Sequence, residues 1–230
     1  MSAPLRILVC YFLAGGLFFL GWTCLKRAKA GVHALQVGLL FKAWTEKPDK
    51  PPSERELNRM ERVLRAAVVL EPDNPTLHEQ LCQLYLWQLV LAGGNPDAEA
   101  KLSAKATAEA RRAVSLRPAW PVAWARLLGL KATFDIPDEE FSLALRRATA
   151  LGPWDFQTSL TVAAAVLPIW DRVSPEDSRI AVNAAVRGLR QDSKQMLPIV
   201  RESGRLVEVC AAMAGQAEQL YQGVCADVIE

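Results

Sequence analysis

Arg65-Ala-Ala-Val-Val-Leu-Glu-Pro72, Arg111-Arg-Ala-Val-Ser-Leu-Arg-Pro118 and Arg146-Arg-Ala-Thr-Ala-Leu-Gly-Pro153 are three versions of one ending. Each places Ala five residues before the proline (Ala67, Ala113, Ala148) and Leu two before it (Leu70, Leu116, Leu151). A small Ala lets a second helix approach closely. A proline after the last turn stops the helix, because it lacks an N–H and its ring clashes with the preceding turn. A new start follows at Pro75 after Asn74 and at Pro121 after Trp120, where proline fits the first helical turn without losing a hydrogen bond. The unit is therefore helix, break, helix, and its recurrence decides the architecture.

Outward from these endings the chain stays helical. Pro72, Pro118 and Pro153 are 46 and 35 residues apart, so the first unit carries an insertion, expected around Ala92-Gly-Gly-Asn-Pro96. A fourth, decayed unit is expected over Ile180 to Asp192, with Gln191 in place of the proline. Gly204 to Cys210 and Ala217 to Val228 read as short helices that cap the open end of a stack. No stretch alternates apolar and polar residues long enough for a sheet. The fold class is all-α, and the roughly 180 residues after residue 50 suffice for one core.

The residues resemble the tetratricopeptide repeat family. Counted from each proline, the family's large and tyrosine positions fall on Leu81 and Tyr85, and its tryptophan and leucine positions on Trp124 and Leu127. The family's small glycine position holds Cys82 and then Leu128. The resemblance implies a TPR-like α-solenoid of helical hairpins, with a concave groove lined by the first helix of each pair and suited to extended peptides or partner helices. The residues expected to line it are Glu79, Gln83, Gln88, Trp124, Arg126 and Lys131. Trp120, Trp154 and Trp170 are expected in the core or between repeats, since each sits beside a proline or on an apolar face.

At the N-terminus, Ile7 to Leu25 is a run of nineteen uncharged, mostly apolar residues. A bilayer-spanning helix needs about 20. Ala28-Lys-Ala30 has the form of a signal-cleavage site, but the apolar run exceeds a signal core and Lys26, Arg27 and Lys29 crowd the site, so a retained anchor is expected. The Gly15-to-Gly21 spacing is not the small-x3-small motif and gives no support to helix dimerisation of that type. Three parts follow: residues 1–30 as a transmembrane anchor, 31–52 as a membrane-proximal helix and Pro-rich linker (Thr45 to Pro52), and 53–230 as the repeat domain. The last opens at the capping box Ser53-Glu-Arg-Glu56.

Residues 1–50 hold seven Lys/Arg and two Asp/Glu, and residues 51–230 hold twenty and twenty-three. Basic charge gathers beside the expected membrane, and the repeat domain has no nucleic-acid footprint. Counting Arg6 against Lys26, Arg27, Lys29 and Lys42 puts the domain on the cytoplasmic side, whereas the export-like layout of the leader points the other way. Cys82, Cys210 and Cys225 have no zinc spacing. Cys210 and Cys225 either pair across a terminal hairpin in an exported domain or pack as buried apolar thiols, the favoured reading.

No catalytic, cofactor-binding or metal-binding constellation is expected. His33 and His78 are the only histidines, and His78 reads as an exposed helix residue. Asp138-Glu-Glu140 and Glu176-Asp177 read as first-turn carboxylates facing the positive ends of helix dipoles.

The layout of one anchor and degenerate repeats, with Leu151-Gly-Pro-Trp-Asp155, Leu167-Pro-Ile-Trp170 and Val186-Arg-Gly-Leu189, also resembles the small TPR-like membrane proteins encoded in bacterial exopolysaccharide and O-antigen clusters. That resemblance implies a non-enzymatic inner-membrane, single-pass accessory protein with its repeat domain in the periplasm. Its partners would be proteins, such as a polysaccharide polymerase, ligase or export component, with membrane contact through residues 7–25 and no nucleic acid. The alternative is a general envelope-assembly or quality-control adaptor that binds polypeptides in the groove.

Overall fold

The computed structural model describes residues 3–47, 49–134, 137–214 and 218–225, with the backbone alone at 3–10 and 218–220. Every regular element among the described residues is helical, and the chain divides into two compact units, Met1–Leu102 and Ser103–Glu230. The end of the second expected cap helix, residues 226–228, lies outside the description.

The first unit is built from α1 (Ala3–Glu46), α2 (Glu54–Leu70) and α3 (Pro75–Ala92). The helix α1 does not end at residue 30. It runs 44 residues without a break and packs against both α2 and α3. Ala30, Val37 and Trp44, spaced by seven, are buried, and Ala34, Gly38 and Phe41 beside them are half-buried. The expected boundary at residue 53 thus separates two helices of one packed unit. The stretch assigned to a membrane-proximal helix supplies this unit's first helix.

Polar and aromatic ties reinforce the seam. Gln80 donates to the Ala34 carbonyl at 2.7 Å, and Trp44 meets Trp87 edge-on at 5.8 Å between ring centroids. Such an aromatic pair adds about 1 kcal/mol beyond its buried area. The Arg27 guanidinium lies 3.6 Å from Glu71. The α2 start is a capping box: Ser53 N donates to Glu56 Oε2 at 2.8 Å, and the Ser53 hydroxyl accepts from Glu56 N. α2 then buries Leu57, Met60, Leu64 and Ala67 along one face.

Among the described residues no helix is long and apolar enough to cross a membrane. The expected span begins at Ile7, and the side chains of residues 7–10 lie outside the description.

A further helix, α4 (Pro96–Leu116), begins in the first unit and continues into the second. The α3–α4 turn holds Gly93 and Gly94 at φ of 47° and 89°, a region where glycine carries no Cβ penalty. That turn does not absorb the expected insertion. α3 and α4 have 18 and 21 residues, against 14 and 13 in the next pair, so the extra length lies in the helices.

The second unit continues with α5 (Pro121–Phe134), α6 (Glu139–Leu151), α7 (Phe156–Val166), a 3₁₀ helix (Leu167–Arg172), α8 (Pro175–Gln191), α9 (Ser193–Glu202), α10 (Leu206–Met213) and α11 (Glu218–Cys225). α5 packs against α6 and α7, α7 against α8, and α6 against α8. Each antiparallel pair therefore also meets the pair after it. α6 buries Phe141, Ala144, Leu145 and Ala148, and α8 buries Ala181, Ala184, Ala185 and Leu189. Asp138, Asp155, Ser174 and Asp192 cap their helices with side-chain oxygens. Where the fourth unit lacks its proline, Asp192 ends α8 and caps α9 directly.

Cys210 and Cys225 are bonded, with Cα atoms 5.8 Å apart, joining α10 to α11. This corrects the reading of two separate buried thiols: the short helices bring together side chains that sequence spacing alone leaves unrelated. Cys82 is buried and forms no disulfide.

The turn after α6 sits hard against the start of α5. A Cβ on Gly152 would stand 2.7 Å from Pro121 Cβ and 2.9 Å from its Cγ, and a proline ring has no rotamer into which to retreat. Gly152→Ala is therefore expected to destabilise the fold by about 1–3 kcal/mol, as overpacking does. Thermal unfolding followed by circular dichroism measures it, and an unchanged midpoint would refute the close approach.

Candidate binding surface

The repeated proline endings carry a repeated contact on the next helix. Trp124 Nε1 donates to the Pro118 carbonyl at 2.8 Å, and His78 Nε2 donates to the Pro72 carbonyl at 2.9 Å. Both residues stand six after their proline. His78 is 6% exposed, which corrects its reading as a surface residue. The clue was the count from Pro72, which aligns His78 with Trp124. After Pro153 the same position holds Ser159, also buried.

The six residues expected to line a groove fall into both units, three in each. In the first unit, Glu79, Gln83 and Gln88 are half-buried on α3. Gln88 donates to Glu61 Oε2 at 3.2 Å, and the buried Tyr85 hydroxyl donates to Glu61 Oε1 at 3.2 Å. Arg65 donates to Tyr85 Oη at 2.8 Å and pairs with Glu61 at 2.9 Å. Gln88 is thus part of a polar clasp between α2 and α3.

In the second unit, Trp124 and Arg126 are half-buried on α5, the former tied to the turn before it. Lys131 is 3% exposed, so its assignment to an open groove is corrected. Its ammonium lies 2.7 Å from Asp138 and 3.2 Å from Glu140, and Glu140 also receives two hydrogen bonds from Arg111, at 2.6 and 2.8 Å. A lysine seven residues before an aspartate across a loop gives no periodic signal of such pairing. Trp154 departs from expectation too. It is 78% exposed beside its proline, and Trp120 departs likewise, 43% exposed and stacked under Arg117 at 5.4 Å, whereas Trp170 is half-buried under Arg205 at 5.2 Å.

One recess of the second unit lies between the start of α6 and the joint from the 3₁₀ helix to α8. It is an open cleft of about 830 Å³ lined by Asp138, Glu139, Ser142, Arg146, Arg172 and Asp177, among others. Its floor is tied across two helices: Asp177 accepts hydrogen bonds from Ser142 Oγ at 2.8 Å and Ser174 Oγ at 2.9 Å. Asp177 is itself 3% exposed. The carboxylates read from sequence as helix-dipole partners therefore also form a wall. Asp138, Glu139 and Arg146 are exposed there, which suits hydrogen bonding to a polar partner.

Hydrogen bonds set the charge of this wall. The Lys131 ammonium, followed by the Phe141 N–H, holds the Asp138 carboxyl below its ordinary range. The Arg111 guanidinium holds Glu140 below its own range against the opposing effect of burial, and Lys131 adds to the lowering. Because both folded values are lowered, these groups stabilise the fold fully above the ordinary carboxylate range of about pH 4, and that contribution is lost as pH falls through the lowered values.

Two variants separate the buried cation from its partners. Asp138→Asn with Glu140→Gln keeps the α6 cap but strips these carboxylates from a buried ammonium, at an expected cost of about 3 kcal/mol. Lys131→Met, of similar volume, lets the two acids turn to water and should cost under about 1.5 kcal/mol. Urea unfolding at pH 6.5 and 3.5 measures both, and the double variant should lose less stability on acidification than the parent. Equal costs for the two variants would refute the pairing. Comparison with protein-family models, with curated proteins and with solved structures returns no match for this chain.

Proposed function

We propose that the chain is a non-enzymatic, membrane-anchored scaffold whose TPR-like helix pairs form a solenoid that binds protein partners. The observation that carries this reading is the unbroken α1. Its N-terminal half exposes Tyr11, Phe12, Leu17, Phe18 and Phe19 at 66–81%, and its C-terminal half is packed as the first helix of a repeat unit. Apolar side chains exposed on every side of a helix need a nonaqueous cover, and a bilayer supplies one for the run Ile7 to Leu25. Lys26 over the Trp22 ring at 5.5 Å, with Arg27 and Lys29 beside it, matches the mixture of aromatic and basic residues favoured at a membrane surface.

Repetition supports the solenoid. The bonds from His78 to Pro72 and from Trp124 to Pro118 repeat one junction, and in the second unit each helix pair packs on the next. The Cys210–Cys225 bond supports a domain in an oxidising compartment, and so the periplasmic orientation over the positive-inside count. The proposed role is an accessory in bacterial cell-envelope polysaccharide biosynthesis or export, contacting a polymerase, ligase or export component. It rests on the resemblance to proteins of exopolysaccharide and O-antigen clusters.

Orientation is tested by fusing reporters active only in the cytoplasm or only in the periplasm after Glu230, together with thiol labelling of Cys210 and Cys225. Periplasmic activity, with labelling only after reduction, is expected. Closing a loop of 15 residues contributes about 3 kcal/mol, so Cys210→Ser with Cys225→Ser should lower the unfolding temperature. Cytoplasmic reporter activity with freely labelled thiols would overturn the orientation. Normal polymer output after deletion of the gene would overturn the polysaccharide role and leave the adaptor role standing.

A further inference from the structure

The face of α1 opposite its packed seam is exposed from Leu25 to Leu39, and it carries a second regular pattern. Leu25, Ala28, Val32, Leu35 and Leu39 are spaced alternately by three and four residues, and the four large ones are 54–64% exposed. At 100° per residue they centre about 180° from Ala30 and Val37, which pack against α2 and α3. Upstream, Tyr11 and Phe18 extend the line at one heptad position, and Ala14 and Gly21 at the other. It ends at Lys42, which pairs with Glu46 at 3.8 Å.

We propose that this line is the seam of a parallel two-stranded coiled coil, and that its occupant is the same face of a second copy of this chain. Three observations select that occupant. First, a strict seven-residue repeat with two apolar positions is the pattern of a left-handed supercoil between like helices, and Val32 followed by Leu35 is the β-branched and leucine pairing that favours two strands. Second, Ala14, Gly21 and Ala28 recur every seven residues at one of those positions, which lets two helix backbones approach along the apolar run as well. This is a different geometry from the small-x3-small crossing, which the run Ile7 to Leu25 does not contain. Third, with Ile7 to Leu25 spanning the bilayer as proposed above, the far end of the seam lies beyond the lipid. Leu35 and Leu39 stand about 15 and 21 Å past Leu25 along a helix with no break, beyond Lys26, Arg27 and Lys29.

Two copies anchored in one membrane also point the same way, which is the arrangement a parallel pair needs and one that a two-fold axis satisfies. The first two observations hold with or without the anchor. Were α1 wholly in water, the exposed line would include Tyr11 and Phe18 and have more apolar surface to cover.

The test uses the full-length chain in its native membrane, with Cys10→Ser and Cys24→Ser removing the native thiols of α1. Single cysteines then go in at Val32→Cys, Leu35→Cys and Leu39→Cys, and at Lys29→Cys, Gln36→Cys and Leu40→Cys beside the seam. Mild oxidation should yield a disulfide dimer at the first three positions, several-fold above the second three. The variant carrying Leu35→Glu and Leu39→Glu, both at exposed positions, should keep its helical content and fall from dimer to monomer mass by light scattering of the solubilised protein. Cross-linking that is absent or equal at all six positions, a ladder of higher species, or products containing another protein would each overturn the proposal. So would a parent chain that is monomeric in solution and in the membrane.

Discussion

A helix of 44 residues can present only one face to α2 and α3, and the rest of the first unit depends on which face that is. Ala30, Val37 and Trp44 occupy it, backed by the Gln80 bond to the Ala34 carbonyl and the Trp44–Trp87 edge contact. Those groups fix the rotation of α1 about its own axis. The same rotation turns Leu25, Val32, Leu35 and Leu39 outward, so one packing decision determines both the buried core and the exposed apolar line.

The second unit applies the same rule with shorter helices. Each helix pair buries one stripe within itself and another against the next pair, and polar groups fasten the joints. Lys131 binds the start of α6 through Asp138 and Glu140, Asp177 joins α8 to α6 through Ser142, and Arg205 holds the 3₁₀ helix to α10 through Asp171 and Glu208. The disulfide then closes the last hairpin. The wall of the open cleft is made from these fastenings, so its charge pattern is set by the same groups that hold the helices in register.

The helical endings were legible because they rest on local chemistry. Proline after Leu70, Leu116 and Leu151 forbids another turn, and Ser53 with Glu56 satisfies the first backbone donors of α2 whatever the rest of the chain does. The role of α1 was harder to read. Val32, Leu35 and Leu39 are as apolar as Ala30, Val37 and Trp44, so its two seams blur into one apolar run in the sequence. His78 was hidden because a titratable side chain took a position that its counterpart fills with tryptophan. Lys131 and the Cys210–Cys225 pair were hidden because their partners are brought close by turns rather than by helical spacing.

The central claim is that residues 30–44 belong to the core of the first unit rather than to a linker beside it. Native-state hydrogen exchange on the full-length protein tests this most directly. Amides from Ala30 to Trp44 should open together with those of α2 and α3, at one shared free energy and with one dependence on denaturant. Exchange of residues 30–44 well ahead of α2 and α3 would show a separate helix and contradict the account.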